Sequence, residues 1–294
     1  MDLTPQAKTH QTKRHSVRRH SAWQALGMSV SIHSVDSLRT LLELEQVKPD
    51  AFLGAGPNLG WGRIYGGQVV SQALRAAGLT VSASHRVHSF HAYFVRAGVE
   101  TETVLYEVER VRDGKSFTTR QVVAYQAGGA ILNLIASFQA DEDGEDVQSR
   151  LFPHATPSPD RLESMPTDLF FDHRFVRHGN DPSPRATSWL KVIGDLGDDP
   201  MVHACALAYL SDEDLLGVAL LPHSLAGDWD SMMNASLDHA VWFHRPVRAD
   251  QWLLFDLEGS GIANARGHAF ARVFTADGLH VATVAQEGLG RARR

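Results

Sequence analysis

The sequence predicts an α+β fold built from two similar units, each a helix followed by a long antiparallel sheet. Three observations lead to this prediction. Apolar residues recur at helical spacing over 66–78, a segment that begins with a glycine pair. Apolar and polar residues alternate over 85–139, with Asp-Gly and Gly-Gly turns between the segments. The pattern of 87–139 then returns 149 residues later in the chain.

The composition is that of a globular chain with a sizeable core, since 43% of the 294 residues are hydrophobic and 21% are charged. The net charge of −6 argues against nucleic acid as the main partner, because nucleic-acid sites carry a basic footprint. No run of about 18 apolar residues occurs, so we expect no membrane span. The single cysteine, Cys205, excludes an intramolecular disulfide and a cysteine-rich zinc site, and it fits a reducing compartment.

A basic segment at 1–33 precedes the first unit and has little apolar surface to bury, so we expect it to be disordered. It lacks the apolar stretch of a secretory signal. A targeting peptide and a nucleic-acid or lipid-binding arm are alternatives. The preferred interpretation is a dispensable extension, with Met28 as an alternative start.

Ser34 has the character of a helix N-cap at the start of the first unit. Gly66 and Gly67 open the main helix and allow close backbone approach, either by a phosphate or thioester oxygen or by tightly packed neighbours. The sequence does not decide between these two interpretations. The first unit is predicted to contain helices over 35–42 and 66–78 and strands over 51–53, 87–95, 103–112, 116–127 and 130–139.

The stretch 141–168 is acidic and then rich in proline and serine, which is typical of a linker. In the second unit Ser211 resembles the N-cap of a helix whose first turn holds acidic residues. A helix over 201–210 and strands over 170–176, 186–192, 236–247, 251–260, 266–275 and 279–287 are predicted around it. These patterns divide the chain into a tail, a first unit, a linker and a second unit at 1–33, 34–140, 141–168 and 169–291.

The two units align without a gap over about 87–139, so that, for example, Phe94 meets Phe243 and Gly129 meets Gly278. Residues shared by both copies are expected to serve the fold. A polar residue present in the second copy alone needs another explanation, because burying it without a partner costs about 1–3 kcal/mol. Ser236 opposite Val87 is one such residue, and the second copy also has larger polar side chains at two positions, Asp238 opposite Ser89 and Gln286 opposite Ser137.

Strand alternation over 236–247 predicts that Ser236 and Asp238 share one face and that His239 lies on the other. Asp238 and His239 are therefore not expected to act as a pair. Asp238 is a candidate for supporting a site through its neighbours. The other histidines at strand positions, His91, His244 and His268, are interpreted as structural, and no metal-binding spacing occurs among the histidines.

Several motifs in order resemble the type II acyl-CoA thioesterases, the TesB-like family: I-Y-G-G-Q-V-V, H-S-F-H-A-Y-F-V-R-A-G, V-R-D-G-K-S-F, A-S-F-Q, L-D-H-A-V-W-F-H-R-P and Q-E-G-L. The resemblance covers about 34–291. It implies a double hotdog, in which two hotdog units join into one continuous sheet. It also implies hydrolysis of acyl-CoA to free fatty acid and CoA without metal or cofactor, and a homo-oligomer, either a dimer or a tetramer.

The family's catalytic set is an Asp, a Thr and a Gln from the second unit. By motif, the Asp corresponds to Asp212 and the Gln to Gln286, while the Thr position holds Ser236. This departure keeps the hydroxyl but leaves it freer about χ1 than in threonine. We expect activity to persist with an altered rate.

Thioester hydrolysis needs an activated water and a polarised carbonyl. Asp212 is the candidate base, and a helix N-terminus would keep it ionised at neutral pH. Ser236 and Gln286 could hold the water or the developing oxyanion. Ser236 is not expected to be a nucleophile, because the chain has no G-x-S-x-G elbow. Without the resemblance, a helix-capping acid is the preferred interpretation of Asp212.

Two other function classes remain open. The first is a non-catalytic acyl-CoA-binding hotdog protein, and the second is a hotdog hydratase or dehydratase acting on acyl thioesters through His239. Surface arginines, namely Arg266, Arg272, Arg291 and Arg293, are candidates for the CoA phosphates, although solvation is their default role. The C-terminus lacks an S-K-L-type address, so we expect a cytoplasmic protein.

Overall fold

The computed structural model describes residues 35–153, 155–177, 184–224 and 226–293. The predicted basic tail and Ser34 lie outside these residues. The described chain forms one antiparallel sheet of 13 strands, with helices packed against it. Among the described helices, none combines the length and the apolar character needed to span a bilayer.

The first half of the sheet follows the predicted order of elements, with one additional strand at Glu45–Lys48 that was not predicted. Its elements are α1 (Leu38–Leu41), β1 (Glu45–Lys48), β2 (Ala51–Gly54), α2 (Gly66–Gly78), β3 (His85–Phe94), β4 (Val104–Asp113), β5 (Phe117–Gln126) and β6 (Gly129–Ala140). The predicted helix over 35–42 is shorter than expected. It begins after Ser37 because the Ser37 and Thr40 side chains each accept from the other's backbone N–H, which closes a capping box.

The second half repeats the arrangement with one additional helix and with one strand divided in two. Its elements are β7 (Phe171–Arg177), β8 (Arg185–Val192), α3 (Pro200–Leu210), α4 (Leu215–Ala219), β9 (Met232–Ser236), β10 (Asp238–Phe243), β11 (Leu253–Ala263), β12 (Arg266–Thr275) and β13 (His280–Ala292). Between the halves, the described residues of the predicted linker contribute a single regular element, a 3-10 turn at Pro159–Arg161.

The two halves join through their central strands. The strand order is β1-β2-β4-β5-β6-β3-β10-β13-β12-β11-β8-β7, and β9 pairs with β13. At the junction β3 pairs with β10, and His91 lies opposite Ala240. These two residues are also matched by the repeat offset, so an approximate two-fold axis passes through this pair. The continuous sheet of two units is what a double hotdog requires.

The core lies between the sheet and the helices. The strands β4, β5 and β6 cover α2, whose apolar residues Val70, Ala73 and Leu74 are fully buried. Burial alternates along β5, as expected for a strand with one face on a core. Fully burying a leucine such as Leu74 contributes about 1.5–3 kcal/mol. On the other side, α3 packs along α2, and α4 lies against β11, β12 and β13.

Candidate active site

Asp212 lies in the turn between α3 and α4. The helix α3 ends at Leu210, where Ser211 donates its N–H to the Leu207 carbonyl and its hydroxyl oxygen lies 3.0 Å from the Ala208 carbonyl oxygen. The next helix begins only at Leu215. The predicted helix start at Ser211 is therefore wrong, and Asp212 follows a helix C-terminus, whose partial negative charge disfavours a carboxylate.

A helix N-terminus does reach Asp212, but it belongs to the other half of the chain. The Gly67 N–H at the start of α2 donates to Asp212 Oδ2 at 2.9 Å. The approach requires both glycines. A Cβ on Gly66 would lie 2.6 Å from Asp212 Oδ2, and one on Gly67 would lie 2.5 Å from the Tyr209 carbonyl oxygen. The exposed backbone N–H at the start of α2 thus donates to a carboxylate of the same chain rather than to a bound ligand.

Gln286 and Ser236 complete the surroundings of Asp212. Gln286 Nε2 donates to Asp212 Oδ1 at 3.3 Å and also donates to Ser236 Oγ. The Ser236 hydroxyl is close enough to the Asp212 carboxyl to lower its pKa. The three side chains come from the α3–α4 turn, the end of β9 and the middle of β13. The fold therefore brings together the three residues that the resemblance selected.

His239 lies behind Gln286 and is fully buried. Its Nδ1 is 3.3 Å from Gln286 Oε1, and its Nε2 is 2.8 Å from Ser211 Oγ. Because the Gln286 amide nitrogen faces Asp212 and Ser236, its oxygen needs a donor, which the Nδ1–H tautomer of His239 supplies. His239 thus fixes the orientation of the Gln286 amide.

The face assignment of this strand was wrong in the sequence prediction. The predicted strand over 236–247 is two strands, β9 and β10, separated by Leu237. Ser236 pairs with Gly288, whereas Ala240 pairs with Ala285, so the register shifts by one residue between them. This shift works as a β-bulge and turns Ser236 and His239 toward the same side of the sheet.

Asp238 is half-buried and contacts the backbone beside the site rather than the site itself. Its Oδ1 accepts the Glu287 N–H at 2.6 Å, one residue after Gln286. It therefore holds β13 in place at the residue that follows Gln286. The sequence prediction of an indirect contribution remains a prediction, and this contact supports it.

Burial dominates the electrostatics of the site. Loss of solvation raises the pKa of Asp212 to about 7, although Gly67, Gln286, Ser236 and the positive charge of Arg63 oppose the shift. This raised pKa differs from the sequence expectation that a helix N-terminus keeps Asp212 fully ionised at neutral pH.

Burial also lowers the pKa of His239 to about 4, which keeps its ring neutral. A neutral ring matches the donor and acceptor roles that its two nitrogens take toward Gln286 and Ser211.

A second polar cluster beside Asp212 was not found from the sequence. The possible ligand atoms of His173, Glu213 and Asp214 lie within 4.8 Å of one another, which is the one such metal-sized group in the described part of the chain. Asp214 accepts from the Ser188 hydroxyl, and its Oδ2 is 2.9 Å from His173 Nε2. The cluster thus holds the backbone of Asp214, a non-glycine residue at φ 63°, by side-chain contacts.

The other histidines considered above and Cys205 make their contacts apart from Asp212. His91 stacks edge-on against Trp242 on the outer face, His244 contacts Thr283, and His268 contacts Ser260. Cys205 is buried in α3, and loss of solvation raises the pKa of its thiol to about 12. A cavity of about 610 Å³ between 164–167 and β8 includes none of the predicted site residues.

Comparison with known proteins gives consistent matches along the chain. A family model for "Acyl-CoA thioesterase" matches residues 169–289, and one for "Acyl-CoA thioesterase N-terminal domain" matches residues 57–139. Acyl-coenzyme A thioesterase 8 of Homo sapiens is 35% identical, covering 86% of this chain and 88% of its own. Acyl-CoA thioesterase 2 of Haemophilus influenzae is 32% identical, covering 87% and 98%.

Solved structures agree with these matches. The acyl-CoA thioesterase II TesB2 from Mycobacterium marinum superposes with a TM-score of 0.76 at 37% identity, covering 87% of this chain and 97% of its own. A hot dog protein from Alicyclobacillus acidocaldarius, at 16% identity, shows the fold alone with a TM-score of 0.72, covering 87% and 98%.

Fold and similarity together define a double-hotdog thioester hydrolase, which confirms the predicted fold and reaction class. More specifically, the chain belongs to the acyl-CoA thioesterase family, as its motifs predicted.

Proposed function

We propose that this chain hydrolyses fatty acyl-CoA to free fatty acid and CoA, with Asp212 as the general base and Ser236 and Gln286 as hydrogen-bonding partners of the reacting water and carbonyl. The observation that carries the proposal is the buried Asp212 carboxyl, which accepts from Gln286 on one oxygen and from Gly67 on the other and has Ser236 nearby. A base whose pKa is near 7 is well matched to proton transfer at neutral pH.

The reaction uses water and the chain's own residues. Asp212 takes a proton from the attacking water as the new C–O bond forms at the thioester carbonyl carbon. The carbonyl oxygen gains negative charge, which the Gln286 amide and the Ser236 hydroxyl stabilise as donors. The C–S bond then breaks, and the proton passes from Asp212 to the CoA sulfur.

The geometry favours hydrolysis over a hydratase or dehydratase that uses His239 as its acid or base. Both nitrogens of His239 already contact Ser211 and Gln286, and burial lowers its pKa to about 4. An acid–base histidine needs a free nitrogen facing the substrate. Loss of activity in His239→Ala with full activity in Asp212→Ala would reverse this preference.

The decisive experiment measures release of CoA thiol from acyl-CoAs of short to long chain by the wild type and by Asp212→Asn. We expect turnover by the wild type and a loss of at least about a hundredfold in the variant. The variant must retain its circular dichroism spectrum. Binding of acyl-CoA without turnover by the wild type would instead support the non-catalytic binding protein, and turnover that survives Asp212→Asn would remove Asp212 from the proposed site.

Three expectations accompany the proposal. A homo-oligomer, dimer or tetramer, fits the exposed aromatic residues Tyr93 and Trp242 on the outer face of the central strands. A cytoplasmic location and the absence of a cofactor remain predictions from the sequence and the resemblance. Sedimentation of the purified protein and imaging of a tagged chain would test the first two.

A further inference from the structure

Three side chains of the types that bind metal ions meet beside Asp212. Glu213 and Asp214 follow Asp212 in the turn between α3 and α4, and His173 comes from β7, the last strand in the order of the sheet. One possible ligand atom from each of the three residues lies within 4.8 Å of the other two. We call His173, Glu213 and Asp214 the His173 cluster. The cluster thus connects the edge of the sheet to the turn that carries Asp212.

The sheet determines where His173 points. Phe175 pairs with Ser188 of β8, and His173 precedes Phe175 by two residues, so His173 and Ser188 project from the same face. Both side chains contact the Asp214 carboxylate. The rings of Phe171 and Phe175 pack edge-on against the imidazole. The imidazole is therefore held in position by its own strand.

The buried nitrogen of His173 indicates that a ligand belongs here. His173 is only 6% exposed, yet its Nε2 makes no hydrogen bond. Asp214 Oδ2 lies 2.9 Å away, but the two atoms do not have the geometry of a hydrogen bond. Buried polar atoms normally have a partner. Two atoms at this distance are spaced like ligands of one ion, because ligands about 2.0–2.2 Å from an ion lie about 3 Å apart.

The charge around the cluster also favours a cation. Asp212, Glu213 and Asp214 are three consecutive acidic residues. Within the described residues, no lysine or arginine nitrogen lies within 4.0 Å of their carboxylate oxygens, and His173 is the one basic side chain at that distance. Glu213 and Asp214 are half-buried rather than fully enclosed, which leaves an ion a path from solvent.

We propose that the His173 cluster binds a divalent transition-metal ion, with Zn²⁺ as the best match. One imidazole nitrogen and two carboxylate oxygens suit Zn²⁺, whereas Mg²⁺ and Ca²⁺ prefer oxygen ligands alone. Binding draws the three groups together by about 1 Å from separations of up to 4.8 Å. The Ser188 hydroxyl donates to the Asp214 carboxylate and orients it, as neighbours of metal ligands commonly do.

The ion would join β7 to the turn between α3 and α4. Its role is structural, since no step of the proposed hydrolysis uses a metal. The site therefore stands or falls independently of the proposed function, and none of the tests below uses acyl-CoA.

Calorimetric titration of Zn²⁺ into the full-length protein, after removal of metal with a chelator, tests the site. The variants are His173→Gln and Glu213→Gln, of which the second keeps the shape of the side chain and removes its charge. Glu258→Gln is the matched control, because Glu258 pairs with Arg185 elsewhere in the sheet. We expect the wild type and the control to bind one more Zn²⁺ per chain than the two ligand variants. Zn²⁺ held by other histidines, including those of 1–33, is the same in all four proteins, so equal stoichiometry throughout would overturn the site.

Thermal unfolding gives a second measurement. Zn²⁺ at about a hundredfold its dissociation constant should raise the Tm of the wild type by about 5 °C and leave His173→Gln and Glu213→Gln within about 1 °C. Ser188→Ala keeps all three ligands and should bind Zn²⁺ about tenfold more weakly. An equal rise in the ligand variants, or an equal rise with Mg²⁺, would contradict a site at the cluster.

Hydrogen exchange of the wild type locates the ion without any variant, so the test does not depend on whether a variant folds. Zn²⁺ should slow amide exchange at least about tenfold in β7 and over 211–214, and leave β4 in the other half of the sheet unchanged. Protection confined to other segments would place the ion elsewhere and overturn the proposal.

Discussion

The two halves of the sheet share one design, and they differ at the points where the candidate site lies. In the first half, α2 runs unbroken for 13 residues and β3 for 10. In the second half the matching helix α4 has only 5 residues and is preceded by an additional helix, α3, and the strand that matches β3 is divided at Leu237. Asp212 lies in the turn between α3 and α4, and the division of the strand begins after Ser236. The strand β3 has a register shift at the equivalent position, between Val87 and Ser89, but it remains one strand.

The difference extends to charge. The starts of α2 and α4, at Gly66 and Leu215, are separated by the same 149 residues as the strands. By this offset Arg63 in the first half is the counterpart of Asp212 in the second. Equivalent positions in the two copies therefore hold a cation and an anion, and the cation lowers the pKa of the anion. The two copies thus contribute opposite charges to one region of the molecule.

The largest effect is expected from making the second copy resemble the first at Gln286, whose counterpart is Ser137. Gln286→Ser removes the donor to Asp212 and Ser236, so kcat should fall at least about a hundredfold, the usual cost of one oxyanion donor. The same substitution at the half-buried Gln139 of β6 serves as the control. Retention of more than a tenth of kcat would contradict the role of Gln286.

The contact between the copies can be broken at Gly67. In Gly67→Ala the added methyl would lie 2.5 Å from the Tyr209 carbonyl oxygen, which must shift α2 away from Asp212. We expect kcat to fall about thirtyfold, since a displaced catalytic contact of about 1 Å can cost up to a hundredfold. Gly217→Ala in α4 is the matched control, because its new methyl meets no atom closer than 4.0 Å. Unchanged kcat in both variants would show that α2 does not support Asp212.

The charge around Asp212 should appear in the pH dependence. Because the base must lose its proton, kcat/KM should rise with pH through about 7 and then level off. Burial also raises the pKa of Glu213, with Asp212 among the charges that act on it, and the interaction is mutual. Glu213→Gln removes a nearby negative charge and should move the midpoint to lower pH by less than about one unit. A midpoint that stays in place would show that the two carboxyls do not interact.

The raised pKa of Asp212 should also appear in the pH dependence of stability. The pKa of Asp212 is about 7 in the folded chain and about 3.8 when unfolded, so the folded state holds more protons between these values. The wild type should therefore lose up to roughly 4 kcal/mol as pH rises from about 4 to about 7, at about 1.36 kcal/mol per pKa unit.

Asp212→Asn has no titrating carboxyl at this position. The Tm of this variant should therefore exceed that of the wild type by an amount that grows from about pH 4 to about pH 7 and then stays constant. Thermal unfolding of both proteins at several pH values measures this advantage. A difference in Tm that does not change with pH would contradict the raised pKa.

The sequence was sufficient for most of the architecture because its signals are local. Alternation and Asp-Gly turns place the strands of both hairpins, and the glycine pair marks the start of α2. The choice of Asp212, Ser236 and Gln286 came from motif resemblance. Spacing alone favoured a helix-capping acid at Asp212.

The errors occur where tertiary structure overrides a local signal. Ser211 and the acids after it look like a helix start, yet α3 ends there and Asp212 meets a helix from the other half. The bulge at Leu237 depends on how two strands pair with β13, which the residues 236–247 do not encode. The same bulge brings His239 behind Gln286, so a strictly alternating strand gave it the wrong face.

The junction of β3 with β10 also determines how the protein behaves on dilution. The site needs Gly67 from one half and Asp212 from the other, and the two halves are parts of one chain. Tethering makes their meeting intramolecular, at an effective concentration that does not depend on how much protein is present. The contact of Gly67 with Asp212 therefore does not depend on protein concentration, and the proposed site predicts the same specific activity at nanomolar and micromolar enzyme.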